Sequence, residues 1–271
     1  MGPDRGAGGV QDSGLVAALN ARMLAEMPEY GAWAARLAAR EGERRLLRAL
    51  MNLRPPMPLE PEFLRLQDAL LAAEREKKGI VRAEELTPVP GEPRLTLWQG
   101  DITRLAADAI VNAANPTLLG CFIPCHGCID NAIHSAAGLQ LRAACARIMQ
   151  AQGRDEPAGS AKLTPGFNLP ARYVLHTVGP VISGAVRPED RRALAGCYTS
   201  CLALAAERGL STVAFCCIST GEYRFPNRAA AEIAVDTVTS FLAGQTSIQR
   251  VIFNVFKDTD RDVYRELLGG A

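Results

Sequence analysis

From residue 93 onward, strand-like and helix-like runs alternate along the chain, and this alternation limits the possible folds more than any other feature. Short apolar runs rich in β-branched residues predict strands over 95–99, 109–112, 173–177, 212–217 and 251–255. Apolar residues at helical spacing predict helices over 130–149, 191–208, 228–242 and 259–268. Strands that alternate with helices predict an α/β domain in which helices cover a sheet.

The segment ahead of this domain has a purely helical pattern. Between residues 15 and 78, apolar residues recur every three or four positions. Proline interrupts the pattern at Pro28 and again at Arg54-Pro55-Pro56, because proline cannot continue a helix. The segment therefore predicts three helices, and its Met and aromatic residues are interpreted as core.

Composition divides the chain into three parts. Residues 1–14 are rich in glycine with little to bury, so we expect a flexible N-terminus. The stretch 87–93 holds three prolines, which is too many for a regular element, and it predicts a domain boundary. We expect a helical N-terminal extension over 15–92 and the α/β domain over 93–271.

The charge balance and the apolar content exclude several classes of protein. Thirty Lys and Arg against 29 Asp and Glu give a net charge of +1, so no broad positive field is available for nucleic acid. No stretch approaches the ~20 apolar residues of a membrane helix, and the start of the chain lacks an apolar signal core. We expect a cytoplasmic monomer with no membrane partner that binds any phosphate ligand locally.

Polar side chains follow the first two predicted strands of the α/β domain. Ligands of such sheets bind beyond the carboxyl ends of the strands, so the loops after Asn112, His176 and Cys217 are the places to search. Asp101 follows the first strand, and Asn112 and Asn115 follow the second. These residues either stabilise turns or bind a ligand, with the carboxylate accepting from an exocyclic amine and the amides binding ribose hydroxyls.

A loop of small residues, 216–226, joins a predicted strand to a predicted helix. Such a loop directs backbone N–H groups and the positive end of the helix at an anion, so it can bind a diphosphate without an excess of lysine or arginine. Structural turns use the same residue types. The loop alone therefore leaves both interpretations open.

Cysteine and histidine cluster in one short segment, 120–128. The eight cysteines all lie beyond residue 120, and three of them fall within eight positions, which favours a metal site over a disulfide framework. Cys121, His126 and Cys128 supply two thiolates and one imidazole, a set that suits Zn²⁺ with its fourth position open. Cys125 adjoins His126, and adjacent side chains seldom reach one metal in a tight loop. The alternative is a loop of thiols that binds no metal.

The motifs together resemble those of the macrodomains, which bind ADP-ribose. The resemblance covers residues 93 to 269 and rests on motifs in the family's order and spacing: Gly100-Asp101-Ile102-Thr103, Val111-Asn112-Ala113-Ala114-Asn115, Ile129-Asp130, Ile133-His134, Ala137-Gly138 and Ile218-Ser219-Thr220-Gly221. Most macrodomains carry a glycine run where this chain has its cysteines and histidine. That feature and the helical extension are similar to the zinc-containing branch of the family, the protein ADP-ribose hydrolases.

The resemblance implies a three-layer α-β-α macrodomain with a mixed central sheet, and it implies roles for residues in the first loops. Asp101 is expected to bind the adenine amino group, with the backbone of Ile102 beside it. Asn112 and Asn115 are expected to face the distal ribose. Asp130 matches the acidic residue that hydrolytic macrodomains use there, and we expect it to act in catalysis together with Asn115.

The resemblance also assigns the later loop and the metal. The diphosphate is expected to be wrapped by the main chain of Ser219, Thr220, Gly221, Glu222 and Tyr223. Either Tyr223 or Phe225 stacks on a ring or anchors the loop. His134 is expected to support the loop from behind. Zn²⁺ is expected on Cys121, His126 and Cys128.

The implied reaction releases ADP-ribose from modified acidic side chains of proteins, by cleavage at C1″ of the distal ribose. The partners are then ADP-ribose and a mono-ADP-ribosylated protein. Two alternatives use a similar pocket, namely a module that binds ADP-ribose without hydrolysing it and a deacetylase of O-acetyl-ADP-ribose. The metal set and Asp130 favour the hydrolase, because a binding module needs neither.

Overall fold

A computed structural model gives the fold of the chain and describes residues 7–269, with side chains from residue 12. A seven-stranded mixed sheet in the order β2-β3-β9-β8-β5-β7-β6 forms its centre. Its strands are β2 (Pro88–Val89), β3 (Glu92–Gln99), β5 (Ala109–Ala113), β6 (Ala161–Pro165), β7 (Tyr173–Thr177), β8 (Thr212–Phe215) and β9 (Arg250–Val255). Two short strands, β1 (Val81–Arg82) and β4 (Leu105–Ala106), form a separate parallel pair.

The inner five strands of the sheet run parallel, and the two edge strands, β2 and β6, run antiparallel to their neighbours. Parallel strands are covered on both faces, which explains why β5, β7 and β9 are almost wholly buried and mostly apolar. The α/β architecture with a mixed central sheet that was predicted for this part of the chain is confirmed. The strand at 161–165 was not predicted.

Helices cover both faces of the sheet. The helices of this domain are α5 (Ile129–Ala137), α6 (Leu139–Gln152), α7 (Pro188–Glu207), α8 (Asn227–Leu242) and α9 (Asp258–Leu267). Helices α7 and α8 connect parallel strands, and both crossovers move along the sheet in one direction, so these two helices lie on one face because such crossovers are right-handed. Helix α9 packs on α8, whereas α5 packs on α6.

The single helix predicted over 130–149 is wrong. Gly138 interrupts it with a φ of +94°, a left-handed conformation that glycine adopts without the clash of a Cβ. The interruption separates α5 from α6 and changes the direction of the chain directly after α5.

The N-terminal extension contains four helices rather than the predicted three. They are α1 (Ala7–Glu26), α2 (Gly31–Glu41), α3 (Glu43–Leu53) and α4 (Pro61–Lys78). Gly42, with a φ of +87°, breaks the run that the spacing of apolar residues predicted as continuous. Leu19, Leu47 and Leu70 lie in a core that the extension forms within itself, and this core also includes Leu139 of α6.

The structure corrects two predicted limits of the extension. Helix α1 begins at Ala7, so a flexible segment over 1–14 is wrong from that residue onward, and residues 1–6 lie outside the described residues. The proline-rich stretch, 87–93, was expected to hold no regular element, but β2 forms within it and pairs with β3. The chain joins the sheet domain directly after α4, where the Arg104 Nε donates to the Gly79 carbonyl at 2.9 Å.

The carboxyl ends of the parallel strands meet at one edge of the sheet, as the sequence predicted. The loops after β3, β5, β7, β8 and β9 therefore converge on a single region. Within residues 7–269, no helix has both the length and the apolar composition needed to cross a membrane.

Candidate functional site

A cleft of about 710 Å³ lies at the carboxyl edge of the sheet. Every parallel strand contributes to it through the loop that follows, including Asp101 after β3, Asn115 after β5, Gly179 after β7, Tyr223 after β8 and Phe256 after β9. Its volume is typical of a small-molecule site. We call its two regions the Asp101 end, formed by Asp101, Ile102 and Phe256, and the cysteine end, formed by Asn115, Cys121, His126, Cys128 and Asp130.

At the Asp101 end, one carboxylate oxygen is used by the protein and the other is accessible. Asp101 caps a short 3₁₀ helix, with Oδ1 accepting from the Thr103 amide at 3.0 Å and from Thr103 Oγ1 at 2.7 Å. Its Oδ2 lies 3.7 Å from Nζ of Lys78, the last residue of α4, and the side chain is 38% exposed. Ile102 is buried against the core and lines the cleft. The exposed oxygen can therefore accept a hydrogen bond from a ligand.

An aromatic ring that the sequence analysis did not single out faces this carboxylate's end of the cleft. Phe256 directly follows β9, and Val255 is in register with Gln99, so Phe256 lies beside Gly100 and Asp101 at the edge of the sheet. The residue is 76% exposed although it is a large hydrophobe. The signal available in the sequence was its position directly after a predicted strand, and it gains meaning only from the pairing of β3 with β9.

The loop between β8 and α8 lines the middle of the cleft with backbone groups. Ser219, Thr220, Gly221, Glu222 and Tyr223 all lie at the cleft, as predicted. Among the residues that the structure describes, no protein group accepts a hydrogen bond from the amides of Gly221, Glu222 or Tyr223. Successive unpaired amides form an anion-binding concavity.

This loop is fixed by its own backbone and by a buried aromatic ring. The Phe225 amide donates to the Ser219 carbonyl at 2.9 Å, and the Ile182 amide donates to the Tyr223 carbonyl at 2.8 Å. Phe225 is 1% exposed and belongs to the core, so it anchors the loop and does not stack on a ligand. Tyr223 lines the cleft.

At the cysteine end, three potential metal ligands converge. One ligand atom from each of Cys121, His126 and Cys128 lies within 4.8 Å of the other two, and Cys121 Sγ is 3.6 Å from His126 Nδ1. All three residues are half-buried and line the cleft. Cys125 points away, because its thiol donates to the Arg45 carbonyl at 3.5 Å.

The donor set fits a zinc ion. Two sulfurs and one imidazole nitrogen are ligands that Zn²⁺ prefers and that Mg²⁺ and Ca²⁺ do not. Burial raises the pKa of the Cys128 thiol to about 12, and the neighbouring Cys121 contributes to the rise. The protein alone therefore keeps this thiol protonated at pH 7, and binding of a cation would release the proton.

Glu222, in the loop between β8 and α8, lies close to His126, one of the three potential ligands. Its Oε1 lies 3.6 Å from Nε2 of His126, and its side chain is 73% exposed. Since His126 Nδ1 faces Cys121, the imidazole lies between a cysteine and a carboxylate. A carboxylate on the outer nitrogen of a ligand histidine fixes the orientation of the ring.

Asp130 lies beside this cluster in the first turn of α5, and its carboxylate is almost wholly buried. Burial raises the pKa of the carboxyl to about 6, against the hydrogen bond from Asn112. The dipole of α5 favours the ionised form of a carboxyl in its first turn, and desolvation opposes this effect. At pH 7 the carboxylate form still predominates, because pH 7 lies above this pKa.

Asn112 differs from its expected role at the distal ribose. The residue is fully buried and does not line the cleft. Its Nδ2 donates to Asp130 Oδ1 at 2.8 Å and lies 3.2 Å from Nδ1 of His176. An amide nitrogen only donates, so His176 accepts at Nδ1 and carries its proton on Nε2, which bonds Thr164 Oγ1 at 2.8 Å. Asn112 therefore holds the Asp130 carboxylate from behind.

Asn115 lies at the cleft as expected. Its Nδ2 donates to the Gly120 carbonyl at 3.0 Å and lies 3.5 Å from Asp130 Oδ2. Its Oδ1 accepts from the Thr117 amide at 3.1 Å. The side chain thus joins Gly120, which precedes the three potential ligands, to the buried carboxylate.

His134 lies behind the site, with its ring packed against Gly120. It is one helical turn beyond Asp130, with Nε2 3.5 Å from Asp130 Oδ1. Burial holds the pKa of its imidazole well below the usual range, so the ring is neutral. His134, Cys145 and His176 also lie close enough together to share an ion, but all three are buried and none lines the cleft.

The sequence is similar to one protein family and to proteins with a shared name. The Macro domain family matches residues 111–234. A protein from Treponema medium named protein-ADP-ribose hydrolase is 51% identical over 249 residues, which cover 91% of this chain and 95% of that protein. A protein of the same name from Staphylococcus aureus strain MSSA476 is 50% identical over 222 residues, covering 82% of this chain and 83% of that protein.

A solved structure has the same fold. The Trypanosoma brucei macrodomain in complex with ADP-ribose superimposes with a TM-score of 0.65 at 33% identity. The match covers 82% of this chain and 95% of that structure. The similarity therefore extends beyond the segment matched by the family.

Proposed function

The chain belongs to the macrodomain family, and we propose that it is a zinc-dependent hydrolase that releases ADP-ribose from modified aspartate and glutamate side chains of proteins. The observation that carries the proposal is the position of Asp130 beside Cys121, His126 and Cys128 at one end of the cleft. The other end and the middle offer groups that suit adenine and a diphosphate. Relatives named protein-ADP-ribose hydrolase support the reaction class.

The substrate lies along the cleft in one direction. Asp101 Oδ2 accepts from the adenine amino group, and the exposed ring of Phe256 stacks on the base. The free amides of Gly221, Glu222 and Tyr223 bind the diphosphate, which explains how a chain of net charge +1 holds two phosphates. The distal ribose then reaches the cysteine end, with its anomeric carbon near Asp130.

The reaction transfers a water oxygen to C1″ and releases the carboxylate of the modified side chain. The bond from C1″ to the ester oxygen breaks as the bond to water forms, and the water loses a proton. Asp130 is a carboxylate at pH 7, with Oδ1 held by Asn112 and Oδ2 near Asn115, so it can orient this water and accept the proton. When bound, Zn²⁺ would lower the pKa of a water molecule, or it would act as a Lewis acid on a ribose hydroxyl or on the ester.

The proposal is tested by measuring the release of ADP-ribose from a peptide that carries one ADP-ribose on a glutamate side chain. The protein is incubated with it before and after chelation, and free ADP-ribose is measured by chromatography. We expect release that stops on chelation and returns with Zn²⁺. A serine-linked peptide tests the linkage, and we expect it to remain intact.

Two cysteine variants provide the matched comparison. Cys128→Ser is expected to lose both the zinc and the release, because it removes a ligand. Cys125→Ser is expected to retain both, because the Cys125 side chain bonds the Arg45 carbonyl and not the cluster. Tight binding of ADP-ribose without any release by the zinc-loaded protein would instead identify a binding module. Release that survives complete removal of zinc would overturn the metal dependence.

A further inference from the structure

The metal-binding loop, residues 119–128, contacts helix α3 of the N-terminal extension at Cys125 and His126. Arg48 of α3 donates from Nη2 to the His126 carbonyl at 3.4 Å. The same guanidinium donates to Asn131 Oδ1, at 2.8 Å from Nη2 and 3.2 Å from Nε. One side chain of the extension thus contacts the backbone of a metal ligand and a residue of α5.

Asn52, one turn further along α3, fixes the loop at a second point. Its Oδ1 accepts from the Cys125 amide at 2.8 Å, and its Nδ2 donates to Ser135 Oγ at 3.1 Å. Asn52 is 1% exposed. Cys125 has a φ of +53°, a conformation that costs free energy in a residue other than glycine, so the surrounding structure must hold it.

Asn131 transmits the contact of Arg48 to the remaining part of the loop. Its Nδ2 donates to the Ile123 carbonyl at 3.0 Å, and its backbone amide donates to Cys128 Sγ at 3.4 Å. Because Asn131 Oδ1 accepts from Arg48, the orientation of this amide side chain is determined by α3. The extension therefore contacts the loop directly at Cys125 and His126, and it reaches Ile123 through the side chain of Asn131.

Helix α3 is itself held firmly against the sheet domain. Arg142 of α6 donates to the carbonyls of Met51 and Asn52 at 3.0 and 2.9 Å, which satisfies carbonyl groups in the last turn of the helix. The same guanidinium donates to the Leu119 carbonyl at 2.7 Å and lies 4.2 Å from the ring centroid of Phe122. One buried cation thus joins the end of α3 to the start of the metal-binding loop.

We propose that Arg48 and Asn52 are positioning residues for Cys121, His126 and Cys128, so that the extension acts in the reaction by holding the metal-binding loop. The loop has no regular secondary structure of its own, and three ligands on such a loop need outside support to converge. This inference rests on the proposed function, because it assigns the extension to the same metal site.

The test compares two arginines of the same helix in the full chain. Arg48→Met removes the contacts with the loop, whereas Arg45→Met removes an exposed arginine that forms an ion pair with Glu41. Both substitutions remove one positive charge. Zinc affinity is measured by competition with a chromophoric chelator, and affinity for ADP-ribose by calorimetry. Loss of an outer partner of a metal ligand typically weakens metal binding by about 10–100-fold, and we expect this for Arg48→Met alone.

The outcomes separate this inference from the proposed function. Weaker zinc binding by Arg48→Met, with ADP-ribose affinity and unfolding temperature close to those of Arg45→Met, supports it. Equal zinc affinity in the two variants would overturn it while leaving the hydrolase intact. No zinc binding by the unsubstituted protein would overturn the metal site itself. Asn52→Ala is expected to weaken zinc binding in the same way, and if it fails to fold, the two arginine variants decide.

Discussion

The Asp101 end and the cysteine end of the cleft are built in different ways. At the Asp101 end the ligand-facing groups are exposed, with the Asp101 side chain 38% exposed and Phe256 76% exposed. At the cysteine end the Asp130 side chain is 7% exposed and is held by Asn112, and the loop beside it is held by α3. Exposed groups contribute affinity when a ligand covers them. Buried groups with fixed partners are suited to orienting atoms in a reaction.

From this difference we infer that binding of the ligand and turnover depend on different groups of the molecule. Groups that act mainly in the transition state lower turnover when they are removed, without a matching loss of ground-state affinity. The Asp101 end should therefore control affinity, and the cysteine end should control the rate. The three predictions below are ordered by the size of the expected effect.

Replacing the buried carboxylate should have the largest effect. Asp130→Ala is expected to lower hydrolysis by about 10²-fold or more, the contribution of a positioned acid or base, while ADP-ribose still binds. Single-turnover release and calorimetry on the zinc-loaded protein measure the two quantities. Asp262→Ala, at an exposed ion pair with Arg261, is the control and should change neither.

Folded Asp130→Ala with near-normal release would assign the chemistry to another group. Removal of zinc should give a similar loss of rate. Because Asp130 and the metal are expected to act on the same water, the loss from both changes together should be well below the product of the separate losses.

Removing the carboxylate at the other end should change affinity. Asp101→Ser retains an oxygen that can cap the 3₁₀ helix but removes the acceptor for the adenine amine. We expect ADP-ribose binding to weaken by about 1–3 kcal/mol, the cost of leaving a buried partner unpaired. Unchanged affinity in calorimetry would remove Asp101 from the adenine site.

Two strand-end asparagines provide the finest comparison. Asn112 of β5 donates to Asp130, whereas Asn254 of β9 donates to the Gly100 carbonyl at 2.9 Å, beside Asp101. Asn112→Ser is expected to lower the rate about tenfold, through loss of a hydrogen bond to a charged group, with affinity unchanged. Asn254→Ser is expected to lower affinity and leave the saturated rate unchanged. If Asn112→Ser instead lowered affinity and left the saturated rate unchanged, Asn112 would be assigned to binding of the distal ribose.

The central elements of the fold could be predicted from the sequence because their patterns are local. The strand at Tyr173–Thr177 has the predicted bounds, and most of the other predicted strands and helices differ by a few residues. Two errors in the predicted helices occur where a single glycine overrides the pattern of apolar residues. Gly42 and Gly138 each end a helix that the apolar spacing continues. The proline-rich stretch forms β2 because an edge strand tolerates proline.

The site was predicted in its residues more than in its contacts. The three potential metal ligands lie together because they fall within one short loop, and Asp130 follows two residues after that loop, in the first turn of α5. Asn112 was predicted to bind the distal ribose, but its side chain donates to the buried carboxylate of Asp130. Alternate residues of a strand face opposite sides, so a position at a strand end does not by itself place a side chain in the cleft. Arg48 and Asn52 lie about eighty positions before the loop that they contact, so no local pattern connects them with it.

The most direct test of the division between binding and turnover is the dependence of single-turnover release on enzyme concentration, measured for Asp101→Ser and Asp130→Ala on the same glutamate-linked peptide. For Asp101→Ser we predict a curve that is shifted to higher concentration and reaches the rate of the unsubstituted protein. For Asp130→Ala we predict saturation at an unshifted concentration and a rate that stays low throughout. A low plateau for Asp101→Ser, or a plateau for Asp130→Ala that equals that of the unsubstituted protein, would contradict the account.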